Sequence, residues 1–116
     1  MSPTSDRASQ AAPLTAAVAW VDPVRAFIAT TTPGGSILVE EIRADDAAET
    51  PYLARIVDEI GDSDRVVILG PSEERVLVER EYSAVFHRPD RIIDVEHVER
   101  ITEHELVTRL HQVLKP

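Results

Sequence analysis

The stretch that most constrains the fold of this chain is a short apolar run that stops at a Gly-Pro pair. Residues 65–69 read Arg-Val-Val-Ile-Leu, and Gly70-Pro71 follows at once, before a helical pattern begins. A continuous run of β-branched and aliphatic residues is typical of a strand buried on both faces, and Gly-Pro marks a turn. The stretch therefore predicts a buried strand that leads through a tight turn into a helix, the basic unit of an α/β sheet.

The rest of the chain adds three strands before this unit and one after it. The five predicted strands cover residues 15–21, 25–30, 36–42, 65–69 and 91–95. The turn signals Asp22-Pro23 and Pro33-Gly34-Gly35 make the first three strands an antiparallel meander, whereas helical crossovers place strands 4 and 5 parallel to strand 1. The predicted fold is α/β, with element order βββαβαβα, a five-stranded mixed sheet in the order 3-2-1-4-5, three helices and a ribonuclease H-like arrangement.

The helices carry recognisable boundary signals. Thr50 is a candidate N-cap with Pro51 at the first helical position, and Gly61 is suited to end that first helix. The second helix is predicted over residues 72–86. Thr102 and Glu105 have the spacing of a capping box, in which each side chain binds the other residue's backbone N–H, so the third helix begins there.

The predicted core combines the apolar runs of the strands with one stripe from each helix. The strand and third-helix residues expected to be buried are Val67, Ile68, Leu69, Ile92, Leu106 and Leu110. The second helix is expected to bury one face that carries Val78, Tyr82, Val85 and Phe86.

Charge and composition narrow the classes of function. Acidic residues outnumber basic ones 21 to 12, which gives a net charge of −9 and disfavours direct nucleic-acid binding. The chain has no cysteine, so disulfides, thiolate metal sites and a cysteine nucleophile are excluded. No apolar run approaches the ~20 residues of a membrane span. We therefore expect a cytoplasmic protein with no membrane partner.

The beginning of the chain differs in composition from the rest. Residues 1–14 are rich in Ser, Thr, Pro, Ala and Gln without periodicity, and we interpret them as a disordered tail before a single α/β domain over residues 15–116. Residues 11–21 are apolar enough to imitate a signal peptide. However, the charges of Asp6 and Arg7 cancel, so no net positive charge precedes this segment. Asp22-Pro23 also stands where a signal peptide requires a small-residue cleavage site.

Three sequence motifs follow one another along the chain. The first is Trp20-Val21-Asp22, followed at once by Arg25-Ala26. The second is the turn Ile68-Leu69-Gly70-Pro71 before a helix, and the third is residues 91–96, Arg-Ile-Ile-Asp-Val-Glu, before the capped terminal helix. Together they resemble the middle domain of archaeal and eukaryotic class-one release factors and of Pelota, and more closely the bacterial single-domain proteins related to them. The resemblance covers residues 16–114 and implies a partner in the translation machinery, either the ribosome or a translation factor.

The chain departs from the family where the family's chemistry resides. Release factors carry a basic Gly-Gly-Gln loop after the third strand, which promotes hydrolysis of peptidyl-tRNA, but residues 44–49 here read Ala-Asp-Asp-Ala-Ala-Glu. The resemblance therefore implies a non-catalytic binding module, not an enzyme. The alternative is a protein–protein interaction module or homodimer with no ribosomal role.

The sequence gives little support to a nuclease, an anion-binding site or a zinc site. A nuclease would need carboxylates around paired Mg²⁺ ions about 4 Å apart. Asp22 lies near the end of strand 1 and Asp94 on strand 5, but nothing acidic stands at the end of strand 4. Gly70 before a helix could receive an anion, but Glu73 and Glu74 in that first turn would repel a phosphate. The four histidines lack the spacing of a helical zinc site. We therefore expect no catalytic, metal or cofactor site, and a candidate binding surface formed by Asp22, Gly70, Ser72 and Arg75.

Overall fold

The computed structural model describes residues 14–115, which form a five-stranded sheet and three α-helices. The strands are β1 (Ala16–Val21), β2 (Arg25–Thr31), β3 (Ile37–Arg43), β4 (Arg65–Gly70) and β5 (Ile92–His97). The helices are α1 (Tyr52–Ile60), α2 (Glu74–Phe86) and α3 (Glu103–Leu114), with one 3₁₀ turn at Pro89–Arg91 before β5. The predicted tail lies, apart from Leu14, outside the described residues.

The strand order is β3-β2-β1-β4-β5, as predicted. The meander β1-β2-β3 is antiparallel, and β1, β4 and β5 are mutually parallel. β1 therefore occupies the centre, and all six of its residues are buried. Five of the six positions of β1 are alanine or valine, small side chains that let helices approach the middle of the sheet closely.

The helices cover both faces of the sheet and create two apolar cores. On one face α1 and α2 contribute Ile56, Val57 and Tyr82, which pack on Ala19 and Ile68. On the other face α3 contributes Leu106, Leu110 and Val113, which pack on the side of the sheet that carries Val18, Trp20, Val67 and Leu69. No helix within residues 14–115 is long and apolar enough to cross a membrane.

Two helix starts differ from the prediction. α1 begins at Tyr52, one residue later than expected, because Pro51 takes an extended conformation (ψ 153°) and the Thr50 side chain caps nothing. α2 begins at Glu74, since residues 71–73 are used to complete the turn after β4. Gly61 ends α1 at φ +66°, and the capping box of Thr102 and Glu105 is present at α3, as predicted.

The predicted core is confirmed except at three positions, of which Ile92 and Phe86 pack half-buried against the core and Val85 is exposed. Val67, Ile68, Leu69, Leu106 and Leu110 are at most 1% exposed. Ile92 is only half-buried, because β5 is an edge strand. Val85 is 52% exposed, since α2 turns Val78 and Tyr82, and not Val85, into the core.

Candidate functional site

The four residues of the predicted binding surface lie around the edge where the parallel strands β1 and β4 end. Trp20 of β1 stands opposite Leu69 of β4, so the next residues along, Val21 and Gly70, end the two strands side by side. Asp22 follows β1 directly, whereas Ser72 and Arg75 belong to the turn and the first turn of α2 after β4. Carboxyl ends of parallel strands are where α/β sheets commonly bind ligands.

Gly70 allows the backbones of β1 and β4 to approach each other closely. A Cβ atom added at Gly70 would lie 2.2 Å from the carbonyl oxygen of Val21. No side chain fits at that distance, and the obstacle is backbone rather than a flexible side chain. The Gly70 carbonyl accepts a hydrogen bond from Val98 N–H at 2.9 Å. Gly70 therefore has a structural reason to be glycine that requires no ligand.

Asp22 organises the turn between β1 and β2. Its Oδ1 accepts hydrogen bonds from the N–H groups of Val24, at 2.7 Å, and Arg25, at 2.8 Å. Its backbone N–H donates to the Arg25 carbonyl at 3.0 Å, and its own carbonyl accepts from the Tyr52 hydroxyl at 2.9 Å. This is the side-chain-to-backbone pattern by which aspartate stabilises turns. One carboxylate oxygen is thus committed to the fold.

Ser72 and Arg75 also bond locally. The Ser72 hydroxyl donates to Glu74 Oε1 at 2.5 Å, and Arg75 Nη1 donates to the Ser72 carbonyl at 2.5 Å. Both bonds close the turn that feeds β4 into α2. The structure therefore brings the four residues to one region but uses each of them in the fold, and their role in binding stays a prediction.

Tyr52 belongs to the same edge and was not singled out from the sequence. Burial raises the pKa of its phenol well above the ordinary value of 10.0, and the carboxylates of Asp22 and Glu74 raise it further. The guanidinium carbon of Arg55 lies 5.9 Å from the Tyr52 ring centroid. Tyr52 thus stays neutral across the physiological range and serves as a hydrogen-bond donor to the Asp22 carbonyl, not as a nucleophile.

The charges at this edge disfavour both anions and nuclease chemistry. Glu73 and Glu74 stand at the start of α2, where they oppose a phosphate. Asp94 of β5 pairs with Val67 of β4, and Val67 pairs with Val18 of β1. Because Asp22 comes four residues after Val18, Asp22 and Asp94 are separated by two strand spacings across the sheet and by four residues along it. That offset is about 10 Å across the sheet and about 13 Å along it, too far for shared Mg²⁺ ions. Within residues 14–115 no three His, Cys, Asp or Glu side chains are grouped to hold a metal.

A second charged cluster lies between β5 and α3, on the side of β4 away from β1. Arg109 of α3 contacts the Glu96 carboxylate and lies 3.8 Å from an oxygen of Asp94. The hydrogen bond with Glu96 raises the pKa of Asp94, whereas Arg109 lowers the pKa of Glu96. A cavity of about 350 Å³ adjoins this cluster, with Leu69, Val98 and Ile101 among its lining residues. No motif in the sequence predicts this arrangement, since it depends on the register of β5 and the rotation of α3.

The loop between β3 and α1 is the place where the family resemblance would put a catalytic loop. Asp45, Glu49 and the residues between them are exposed. Asp45 pairs with Arg43 at 3.3 Å, and Asp46 lies 4.0 Å from Arg55. The two aspartates are thus tied to the flanks of their own loop.

Comparison with solved structures identifies the architecture. Archaeoglobus fulgidus Pelota superposes with a TM-score of 0.63 at 10% identity, over 94% of this chain and 34% of that one. Thermoplasma acidophilum Pelota gives 0.59 at 18% identity, over 88% and 35%. The archaeal translation termination factor aRF1 gives 0.57 at 13% identity, over 88% and 35%.

The fold is that of a Pelota domain. This chain spans about a third of the length of the Pelota and aRF1 chains, and its sheet order and three helices are consistent with the Pelota middle domain. No protein-family model matches the sequence, and no curated protein is similar to it in sequence. The likeness therefore concerns the three-dimensional structure, at 10–18% identity.

Proposed function

We propose that this chain is a non-catalytic binding module of the translation machinery. The observation that carries the proposal is the Pelota-like fold, which extends over 94% of the chain. The neighbours in structure are a translation termination factor and Pelota, so a partner in translation is the simplest functional reading of the fold. Because one fold can serve many functions, the proposal is tested by the experiments below.

The loop after β3 supports the non-catalytic part of the proposal. It contains neither glycine nor glutamine between residues 44 and 49, and it carries three carboxylates. Ester hydrolysis needs donors that stabilise the developing oxyanion, and carboxylates at that place repel it. Because Asp45 and Asp46 pair with Arg43 and Arg55, the loop is also held back against its own strand and helix.

The distribution of cations favours a limited contact with RNA. Most arginines within residues 14–115 are engaged internally: Arg25, Arg43, Arg55, Arg88, Arg91 and Arg109 by carboxylates, and Arg65 and Arg75 by backbone carbonyls. In that same range, Arg80 and Arg100 form no ion pair. Any phosphate contact therefore involves few charges, so ribosome association should be weak and should fall as salt rises.

Co-sedimentation with purified ribosomes tests the proposal. We expect the protein to pellet with ribosomes at low salt, and the double variant Arg80→Glu/Arg100→Glu to pellet less. The matched control Glu79→Arg/Glu103→Arg places opposite changes beside the same positions and should pellet at least as well. Absence of the protein from the ribosomal pellet at low salt would remove the ribosome as partner and leave the interaction-module alternative.

Peptide release tests the absence of catalysis. Added at stoichiometric amounts to ribosomes that hold peptidyl-tRNA, the protein should release no peptide above background, because it lacks the Gly-Gly-Gln loop. A catalytically competent release factor serves as the positive control. Release above background by this chain, abolished in a variant that lacks residues 44–49, would contradict the non-catalytic proposal.

A further inference from the structure

The cavity of about 350 Å³ between the end of β5 and α3 has a rigid apolar floor. Leu69, Val98 and Ile101 form this floor. Val98 N–H donates to the Gly70 carbonyl at 2.9 Å, and the Val98 carbonyl accepts a hydrogen bond from Trp20 Nε1–H at 2.9 Å. Both backbone groups of Val98 are thus fixed by the sheet. The volume lies at the small end of the range of ligand pockets, so the cavity suits a small molecule.

The rim of the cavity is rich in hydrogen-bond donors that the protein itself does not use. Four exposed side chains of this rim form no hydrogen bond or ion pair within residues 14–115: Arg100, His104, Thr108 and Gln112. Arg109 also lines the cavity, and it contacts carboxylates only through Nη2. Its Nε and Nη1 donors are therefore left over. Because arginine carries five donors and no acceptor, the rim suits a ligand rich in acceptors.

The carboxylates near the cavity already have partners. Glu105 lines the cavity, but its Oε1 accepts a hydrogen bond from Thr102 N–H at 2.8 Å. Glu105 also stands in the first turn of α3, where the helix N-terminus stabilises a negative charge. Glu96 contacts Arg109. Within residues 14–115, Arg100 is thus the cation of this lining that no carboxylate balances.

Two smaller cavities differ from this one in charge. One of about 220 Å³ is lined by Asp94 as well as Arg109, so its charges cancel. Another of about 80 Å³ has Glu103 in its lining and no cation. The chain as a whole carries −9, yet the largest of the three cavities is lined by two arginines and one carboxylate. Its local charge therefore favours an anion.

We propose that the cavity between β5 and α3 binds a small organic acid, a ligand with one carboxylate on an apolar body. The apolar body packs on Val98 and Ile101, and the carboxylate accepts hydrogen bonds from Arg100. Burial of the apolar body and a charge-assisted hydrogen bond then act together. The inference goes beyond the proposed function, because it concerns the protein alone and needs no ribosome.

The exposure of Arg100 sets the expected strength of the charge contribution. Ion pairs at exposed sites are screened by solvent and are worth about 1 kcal/mol or less, which corresponds to about a fivefold change in Kd. Added salt should weaken this part of the binding and leave the apolar part in place. The charge of the ligand should therefore add selectivity to a contact that is largely apolar.

An NMR titration of the isotope-labelled full chain tests the site, with 2-naphthoate as the probe. We expect the backbone amide signals of Val98, Ile101 and Thr108 to shift, and that of Leu53, on the other face of the sheet, to stay in place. Two matched ligands separate the contributions. 2-Naphthamide keeps the shape without the charge, and acetate keeps the charge with little apolar surface. Each should bind about fivefold more weakly than 2-naphthoate, or weaker still.

Two pairs of variants locate the ligand. Arg100→Gln should raise the Kd for 2-naphthoate about fivefold. Its control is Arg80→Gln, since Arg80 is also exposed but lies on α2, across the sheet, and should leave the Kd unchanged. Thr108→Trp should fill the cavity and abolish binding. His111→Trp places the same side chain on the same helix outside the cavity lining and should bind normally.

The outcomes that would overturn the proposal are specific. They are no shift at Val98, Ile101 and Thr108, equal binding of 2-naphthoate and 2-naphthamide, an unchanged Kd in Arg100→Gln, or normal binding by Thr108→Trp. Thermal unfolding of each variant confirms that the protein tested is folded. Because no ribosome is present in these titrations, their failure would leave the proposed role in translation standing, and the reverse also holds.

Discussion

The backbone at the end of β1 contacts one residue of β4 and one residue of α1. Gly70 of β4 lets the Val21 carbonyl approach, and the Tyr52 hydroxyl of α1 binds the Asp22 carbonyl. The first effect depends on the absence of a side chain, and the second on a single hydrogen bond. Substitutions at the two positions should therefore differ in cost.

Gly70→Ala should lower the free energy of unfolding by about 3 kcal/mol or more, because its Cβ would meet the backbone of a buried strand. The measurement is urea or thermal unfolding. Gly34→Ala is the control, since its nearest neighbour is the Thr32 hydroxyl at 3.9 Å and its φ needs no glycine. We expect that control to change stability by less than about 0.5 kcal/mol. Similar costs for both variants would contradict the close approach.

Tyr52→Phe should cost about 1 kcal/mol at neutral pH through the lost hydrogen bond. Folding raises the pKa of Tyr52 above 10.0, so its contribution is complete below that pH and is lost as pH rises beyond it. The wild type should thus lose stability above about pH 10, and Tyr52→Phe should lose less. Burial also raises the pKa of Tyr82, so some alkaline loss remains in the variant. Parallel stability curves for both proteins up to about pH 11 would disprove the assignment.

Among the helices within residues 14–115, α3 alone shows a complete side-chain cap. Glu105 N–H donates to Thr102 Oγ1 at 3.1 Å, and Thr102 N–H donates to Glu105 Oε1 at 2.8 Å. α1 and α2 begin without a side-chain cap. The start of α3 should therefore be the most sensitive of the three to a single substitution.

Thr102→Ala should destabilise the protein by about 1 kcal/mol, since it leaves the Glu105 N–H of α3 without its side-chain acceptor. Thr108→Ala is the matched control, because Thr108 is exposed in the interior of the same helix and alanine is the better helix former. Chemical denaturation of both variants provides the comparison. A Thr102→Ala variant as stable as Thr108→Ala would show that the capping box contributes nothing.

The element order and strand order were accessible from the sequence because short turns force a meander and helical crossovers force parallel neighbours. The capping box and Gly61 were accessible because local backbone chemistry selects those residue types. Val85 was wrongly placed in the core, and Ile92 and Phe86 are only half-buried at its margin. Their apolar character is visible in the sequence, but their exposure depends on an edge position and on the rotation of α2.

The site was predicted less well than the fold. Asp22, Gly70, Ser72 and Arg75 do reach one region, since residues that follow parallel neighbouring strands end at the same edge. Their hydrogen bonds within the turns were not predicted. The cluster of Asp94, Glu96 and Arg109 also escaped prediction, because 13 residues separate Arg109 from Glu96 and a register shift precedes Asp94.

Over the whole molecule, the strands of the sheet are buried from solvent to different extents. α1 and α2 cover one face and α3 the other, so burial is greatest at β1 and falls toward both edges. The edge strands β3 and β5 therefore lie at the margin of this arrangement.

The complete burial of β1 has a consequence for measuring how the protein unfolds. Val18 and Ala19 have no exposed surface and lie in ladders with both β2 and β4. Their amide protons reach solvent only when the sheet comes apart, so native-state hydrogen exchange at these two residues should yield the free energy of global unfolding. That value should equal the one extrapolated from urea titration. Two amide signals in the middle of β1 would then report the stability of the whole molecule without any denaturant.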